Sequence, residues 1–235
     1  MAGIDPELLL RAYAIGVFPM SDSREAQDVF WVEPRRRAIL PLDGFRLSRS
    51  LRKVLRSRRF EVTHDTAYAE VVGRCAKREE TWINADIEAS YVELHRRGHA
   101  HSVECWQQGE LVGGLYGVCL GAAFFGESMF STRPDASKVA LAWLVARLKV
   151  GGYRLLDCQF MTDHLRSLGA VEITQADYMV LLTGALGSAV PGGPEGGDSE
   201  GAPEFGALDR LLTELPDASD APSGCVIAQL IGQTS

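Results

Sequence analysis

The sequence predicts an α+β protein in which helices flank a mixed β-sheet. The chain has 235 residues, of which 46% are hydrophobic and 23% charged, as is typical of a globular protein with one domain or one and a half. After residue 100, apolar residues recur first with period two and later with period 3.6. The predicted order there is β-β-β-α-β-α-β, which favours helices packed on a sheet rather than an all-α or all-β protein.

The first hundred residues are predicted to alternate between short helices and short strands. Asp5 and Pro6 are typical of a helix start and Gly16 of a helix end, which predicts a helix over residues 5–15. The remaining elements of this part are a loop at 18–20, strands at 29–32, 37–41 and 60–63, and helices at 48–58, 66–76 and 85–97.

The second part begins with a predicted β-hairpin that turns at Gln108-Gly109. Its strands are 101–107 and 111–116, and 120–125 is a third, mostly apolar strand. A strongly apolar helix over 136–150 ends at Gly151-Gly152. The last elements are a strand at 154–159, a short helix from 162 or 163 to about 169, and a strand at 171–174.

The composition changes near residue 183. Residues 183–235 contain eight acidic residues against Arg210 alone, a net charge of −7, which leaves residues 1–182 neutral. The stretch 184–206 is rich in Gly and Pro, so we expect 183–235 to be an acidic, disordered tail that does not pack on the core. Within it, 207–215 favours only a transient helix.

Positive charge is concentrated between Arg35 and Arg59. This segment contains ten Lys or Arg residues and only one acidic residue, Asp43. Such a segment suits a phosphate backbone, although a solvated helix face has the same composition.

The N-terminus lacks the basic start of a secretory signal, and no run of eighteen apolar residues exists. The five cysteines have no CxxC spacing. We therefore expect a reduced, cytoplasmic protein without a membrane partner or a cysteine-built metal site. We also expect a monomer.

Three short strings carry candidate chemistry. Glu127 lies at the end of a predicted apolar strand, where a carboxylate needs hydrogen bonds or a cleft, although a simple loop acid is an equal alternative. Strand alternation places Asp157 and Gln159 on one face and Cys158 on the other. A carboxylate there can hold and polarise the amide for catalysis, or the two can form a structural pair.

The spacing of His99 and His101 is compatible with a metal site. A hydrogen-bonding pair is favoured, however, and we expect no metal.

Taken together, the ordered strings resemble the leucyl/phenylalanyl-tRNA–protein transferase family from Leu8 to Leu182. The landmarks that carry the resemblance are Ala12-Tyr13, Gly16-Val17-Phe18-Pro19, Trp31, Pro34-Arg35, Ser48-Arg49-Ser50, Thr81-Trp82-Ile83, Tyr91, Leu94-His95, Gly98-His99-Ala100-His101-Ser102, Glu110 to Gly117, Gly126-Glu127-Ser128-Met129-Phe130-Ser131, Ala136-Ser137-Lys138 and Asp157-Cys158-Gln159. Met20 departs from the family, which often has Trp after Phe-Pro.

The resemblance implies a GNAT-like acyltransferase domain over 34–182, preceded by a small N-terminal α/β segment at 1–33 that looks truncated. It implies transfer of Leu or Phe, and weakly Met, from aminoacyl-tRNA to proteins with N-terminal Arg or Lys, which marks them for degradation by the N-degron route. The ester is already activated, so no cofactor is expected.

The resemblance also implies roles for individual residues. Those expected in catalysis are Asp157, Gln159 and Glu127. The other expected sites are Trp82 and Tyr91 for the terminal adenosine, Leu115, Phe124, Met129 and Leu144 for the transferred side chain, and Arg49, Arg52, Lys53 and Arg56 for the tRNA backbone.

Two alternatives remain open. A GNAT-type N-acetyltransferase would need a glycine-rich turn at a helix N-terminus to hold the pyrophosphate of acetyl-CoA. Residues 128–138 contain Pro134 and Asp135 but no glycine, which disfavours it. A tRNA-binding module without catalysis would have no need of Asp157 and Gln159.

Overall fold

The computed structural model describes residues 3–78, 80–187, 202–214 and 223–232. The helices in these residues are α1 (Pro6–Ala14), α2 (Arg49–Arg56), α3 (Tyr68–Ala76), α4 (Ala85–Arg96), α5 (Ala136–Val150), α6 (Asp163–Ser167), α7 (Gln175–Leu186), α8 (Ala207–Glu214) and α9 (Ser223–Leu230). The strands are β1 (Phe18–Met20), β2 (Phe30–Val32), β3 (Arg36–Ile39), β4 (Glu61–His64), β5 (Ala100–Gln107), β6 (Glu110–Leu120), β7 (Ala123–Ser131), β8 (Leu155–Gln159) and β9 (Val171–Thr174).

A seven-stranded sheet with the order β4-β5-β6-β7-β8-β3-β9 forms the centre of the molecule. Its neighbours are antiparallel except β7 and β8, which run parallel and are connected through α5. A parallel pair needs such a crossover helix. β1 and β2 form a separate antiparallel ribbon. The expected α+β class with a mixed sheet and flanking helices is confirmed.

Apolar residues cover both faces of the sheet. On one face α5 is buried at nearly every position from Ala136 to Leu148, and α2, α8 and α9 pack around it. On the other face α1, α3, α4 and α7 form a second core, to which Leu9 and Tyr13 of the N-terminal segment belong. The predicted division into segments 1–33 and 34–182 remains a prediction, but residues of both share this core.

Most predicted helix starts carry the expected side-chain caps. The side chains of Asp5, Ser48 and Thr162 accept hydrogen bonds from the backbone amides of Glu7, Leu51 and Leu165, respectively. Each cap satisfies an amide that would otherwise lack a partner inside its helix, which explains why these helices begin where they do.

Four elements up to residue 187 differ from the prediction. β6 extends to Leu120 and turns at Gly121, so β7 covers 123–131 rather than 120–125. Continuous apolar runs do not reveal where a turn falls, whereas the positive φ of 53° at Gly121 does. The strand β1 and the helix α7 were not predicted.

The expectation for the acidic tail is wrong for the parts that the structure describes. Residues 202–214 and 223–232 contain α8 and α9, and Phe205, Leu208 and Ile227 are buried in the core beside α5. Its few apolar residues pack on the core, which a prediction from the Gly- and Pro-rich composition alone does not capture. Residues 183–187 form the end of α7 and its C-cap Gly187, with Ala185 and Leu186 buried, whereas 188–201, 215–222 and 233–235 lie outside the described ranges. Within those ranges, no helix combines the length and apolar character needed to cross a membrane.

Candidate functional site

A cavity of about 420 Å³ opens where the two parallel strands separate. β7 and β8 pair only from Ala123 with Leu155 to Phe125 with Asp157, although both strands continue beyond this point. Residues past the last pair line the cavity together with α5 and α6. The lining is Arg78, Trp82, Leu115, Tyr116, Gly126, Glu127, Ser128, Met129, Leu141, Leu144, Leu156, Cys158, Gln159, Phe160, Thr162, His164 and Leu165. A mostly apolar cavity with a few polar groups is typical of a small-ligand site.

Glu127 is the central polar residue of the cavity and is 7% exposed. Its Oε1 accepts hydrogen bonds from Tyr13 Oη at 2.7 Å and from Gln159 Nε2 at 2.9 Å, and its Oε2 accepts from Tyr91 Oη at 2.8 Å. Burial raises the pKa of Glu127 to about 7, and the three hydrogen bonds oppose that rise. This carboxyl group can therefore change its charge near neutral pH.

Asp157 lies beneath the cavity and is fully buried. Arg37 forms a two-pronged ion pair with it, with Nε 2.9 Å from Oδ1 and Nη2 2.6 Å from Oδ2. The Arg37 guanidinium also lies over the rings of Phe18 and Tyr178, at 4.7 and 4.6 Å from their centroids, and donates to the carbonyl of Gly16. Arg37 therefore neutralises Asp157 and ties it to the N-terminal segment.

Gln159 connects the two carboxyl groups. Its backbone amide donates to Asp157 Oδ1 at 2.8 Å, and its side-chain Nε2 donates to Glu127. Its φ of 60° is unusual for a residue with a side chain, and surrounding contacts must hold such a conformation. Among the described residues none donates to its Oε1, so the amide oxygen remains open to a ligand in the cavity.

The predicted alternation of Asp157, Cys158 and Gln159 is wrong in detail. The positive φ of Gln159 turns its side chain into the cavity, where Cys158 also lies, while Asp157 does not line it. Asp157 holds the Gln159 backbone, and Glu127 holds the Gln159 amide.

Two other expected positions also differ. Tyr91 is fully buried with its hydroxyl on Glu127, so its ring has no face open to an adenosine. Phe124 is fully buried and stacks on Phe205 instead of lining the cavity. By contrast Trp82, Leu115, Met129 and Leu144 all border the cavity.

Several residues of the site were missed by sequence reasoning. Arg37 sits in an arginine-rich run that indicates a surface, yet it is 1% exposed. The side-chain atoms Tyr116 Oη and His164 Nε2 are buried without a hydrogen-bond partner among the described residues, and both residues border the cavity. Burial and, after it, the charge of Lys138 lower the pKa of His164, which keeps its ring neutral. Tyr13 and Tyr116 lie within the sequence strings that carry the family resemblance. Those strings were therefore the signal that could have identified these two residues.

The basic helix α2 presents its charges to solvent. Its apolar residues Leu51 and Leu55 are buried. Its four basic residues, which are those expected to meet the tRNA backbone, are all exposed: Arg49, Arg52, Lys53 and Arg56. As for metal sites, the described ranges hold no group of three His, Cys, Asp or Glu side chains suited to an ion. Of the pair His99 and His101, for which hydrogen bonding was favoured over a metal site, His101 forms a hydrogen bond with Asp65 at 2.7 Å.

Comparisons with known proteins agree on one family. The family model described as leucyl/phenylalanyl-tRNA protein transferase matches residues 39–183, and the model of its N-terminal domain matches residues 3–35. The leucyl/phenylalanyl-tRNA–protein transferase of Rhizorhabdus wittichii is 62% identical over 249 aligned positions, covering 100% of both chains. The enzyme of the same name from Novosphingobium aromaticivorans is 51% identical, covering 99% of this chain and 97% of its own. A crystal structure of FemX is similar with a TM-score of 0.48 at 11% identity, covering 73% of this chain and 69% of FemX.

Proposed function

The chain belongs to the leucyl/phenylalanyl-tRNA–protein transferase family, and we propose that it moves Leu or Phe, and weakly Met, from aminoacyl-tRNA to the α-amino group of proteins that begin with Arg or Lys. Such a transfer would mark those proteins for degradation by the N-degron route. The observation that carries the proposal is the Glu127–Gln159 pair, whose free amide oxygen faces an apolar cavity.

The reaction is the aminolysis of an ester. The neutral α-amine of the acceptor attacks the aminoacyl carbonyl carbon, a C–N bond forms, and the C–O bond to the terminal ribose breaks. The amine loses one proton and the departing ribose oxygen gains one. The ester supplies the driving force, so positioning can provide much of the catalysis, roughly 7–11 kcal/mol in favourable cases.

Gln159 is placed to position the amine. Its Oε1 would accept a hydrogen bond from the attacking nitrogen, because the Nε2 side of the amide is already engaged with Glu127. Glu127 fixes the direction of that amide and, when ionised, adds negative charge that favours a cationic acceptor. Asp157 does not reach the cavity, so it acts as a positioning residue through the Gln159 backbone.

The apolar wall would select the transferred side chain. Leu115, Met129 and Leu144 border the cavity together with Leu141, Leu156 and Leu165. Shape in such a pocket discriminates by roughly 1–3 kcal/mol per methylene group. Leu and Phe can therefore share it and Met can enter, whereas branching at the β-carbon of Ile and Val brings bulk close to the reacting ester.

The tRNA would contact two further regions. Trp82 borders the cavity and is partly exposed, so it can stack on the terminal adenosine. The exposed Arg and Lys side chains of α2 would contact the phosphates of the tRNA backbone. Such contacts hold RNA without reading its sequence.

The structure offers little support for an acetyltransferase using acetyl-CoA. The stretch that leads into α5 contains no glycine, and Asp135 precedes the helix with a carboxylate where pyrophosphate would need to bind. No observation favours that alternative.

A single-turnover assay tests the proposal. The purified chain is mixed with labelled Leu-tRNA, Phe-tRNA or Ile-tRNA and with peptides that differ only in an N-terminal Arg, Lys or Ala. We expect label on the Arg and Lys peptides from Leu-tRNA and Phe-tRNA only, and little transfer by Gln159→Ala. Acetylation of the same peptides from acetyl-CoA, without aminoacyl transfer, would contradict the proposal.

A further inference from the structure

The described parts of the acidic tail, residues 202–214 and 223–232, form a docked segment with its own anchor in the core. Phe205 is 5% exposed, and its ring stacks on His101 at 4.1 Å and on Phe124 at 5.8 Å between centroids. The backbone amide of Glu204 donates to the carbonyl of Gly151 at 2.9 Å. The segment thus lies on the face of the sheet that α5 covers.

Arg147 of α5 forms a second set of contacts with the docked segment. It is 2% exposed, and its Nη1 donates to the carbonyl of Phe205 at 2.8 Å. Both of its Nη atoms also contact the Asp209 carboxylate, and His64 Nε2 lies 2.9 Å from the Oδ2 of that carboxylate. A buried guanidinium needs such partners, so Arg147 favours the docked arrangement strongly.

The last described helix of the segment, α9, packs directly on the basic helix α2. Gly224 lies so close to Leu55 that an added Cβ would overlap the Leu55 carbonyl oxygen. Ile227 and Ala228 are buried in the same core as Leu51 and Leu55. The contact of α2 with α9 is larger than its contact with α5. The C-terminal helix is therefore the principal helical support of α2.

We infer that the docked segment is a positioning element for donor tRNA, because it holds α2 in place so that Arg49, Arg52, Lys53 and Arg56 point outward together. This inference rests on the proposed role of α2 in tRNA binding. A helix of eight residues is marginal by itself, so α2 depends on the packing of its apolar side. Loss of α9 would expose Leu51 and Leu55 and let the four charges move independently.

The test uses the full chain with a matched pair of glycine substitutions. Gly224→Val introduces the clash with Leu55, whereas Gly206→Ala changes a glycine of the same segment whose added Cβ meets only the flexible end of Glu204 at 3.7 Å. For Gly224→Val we expect Leu-tRNA affinity to fall about tenfold, with a flatter salt dependence. The kcat at saturating tRNA should stay near that of the wild type. Gly206→Ala should behave like the wild type.

A third variant separates this inference from the proposed function. Arg52→Ala/Lys53→Ala/Arg56→Ala removes the charges of α2 directly. If it weakens tRNA binding and Gly224→Val adds nothing further in that background, the segment acts through α2. If the triple variant weakens binding but Gly224→Val alone does not, the inference is overturned while the proposed function stands. If the triple variant has no effect, the role of α2 itself fails. Should Gly224→Val not fold, Ile227→Ala, which removes a fully buried side chain of α9, gives the same comparison.

Discussion

The hydroxyl oxygens of Tyr13 and Tyr91 lie 2.7 Å apart, and each also lies within 2.8 Å of the Glu127 carboxyl group. Burial and, after it, the Glu127 charge raise the pKa of both tyrosines, so each hydroxyl keeps its single proton. An ionised Glu127 would use both protons and leave the contact between the two tyrosines without one. A protonated Glu127 provides the third proton, so proton uptake by Glu127 completes the hydrogen bonding of the triangle.

The free energy of unfolding should depend on pH because Glu127 binds this proton in the folded protein. The pKa of Glu127 is raised from 4.5 in an unfolded chain to about 7. Its stabilising contribution is therefore fully present below about pH 4.5 and is lost as pH rises through about 7, with a loss on the order of 3 kcal/mol. We expect urea unfolding to show the wild type losing more stability than Glu127→Gln between pH 5 and pH 8. Parallel changes in the two proteins would show that Glu127 is already ionised at pH 5.

Gln159→Ala should reduce kcat strongly, because it removes the acceptor for the amine. We expect a loss of about 10²-fold or more in single-turnover transfer, with unchanged binding of Leu-tRNA. Gln159→Gly should be equally inactive but more stable than Gln159→Ala by about 1 kcal/mol, because only glycine accepts a φ of 60° without strain. Thermal unfolding measures that difference. A rate near the wild-type value in either variant would remove Gln159 from the mechanism.

Asp157→Asn should lower stability as well as activity. The substitution leaves the buried Arg37 without its counter-charge, which costs about 3–5 kcal/mol. Arg37→Met/Asp157→Leu should regain stability in urea unfolding without regaining transfer. Because Asp157 acts through Gln159, Asp157→Asn/Gln159→Ala should be scarcely slower than the poorer single variant. Additive losses in kcat would indicate independent roles.

Cys158→Ala should retain most of the transfer activity. The thiol lies beside the cavity, but burial and, after it, the charge of Asp157 raise its pKa, so it is not a thiolate nucleophile. The measurement is the single-turnover rate together with a search for a labelled acyl-enzyme after Leu-tRNA is added. An inactive but folded Cys158→Ala would instead indicate covalent catalysis.

Replacing Arg52, Lys53 and Arg56 by alanine should weaken Leu-tRNA and Phe-tRNA binding alike. Each lost phosphate contact should reduce the slope of log affinity against log salt by about 0.7–0.9. Arg96→Ala is the matched control, because Arg96 is an exposed arginine on α4, across the sheet from α2. Equal effects of the control and the triple variant would make α2 an ordinary solvated surface.

The sequence predicted the sheet, most helices and the polar residues of the site, because periodicity, caps and short motifs are local properties. It could not predict the geometry that makes the site work. The left-handed backbone of Gln159 depends on contacts with Asp157 and Glu127, which come from other positions in the chain. In the same way, Phe205 lies in a segment whose composition indicates disorder, and its burial depends on contacts with His101, Phe124 and Arg147, which lie far away in the sequence.

The ion pair between Arg37 and Asp157 also bears on how the molecule unfolds. Arg37 reaches the carbonyl of Gly16 and the ring of Phe18 on the N-terminal side, and Asp157 accepts a hydrogen bond from Tyr178 of α7. Separating residues 1–33 from the rest would remove two partners of the buried guanidinium, the Gly16 carbonyl and the Phe18 ring. The two predicted segments should therefore melt in one cooperative transition, with the site lost at the same temperature as the N-terminal helix.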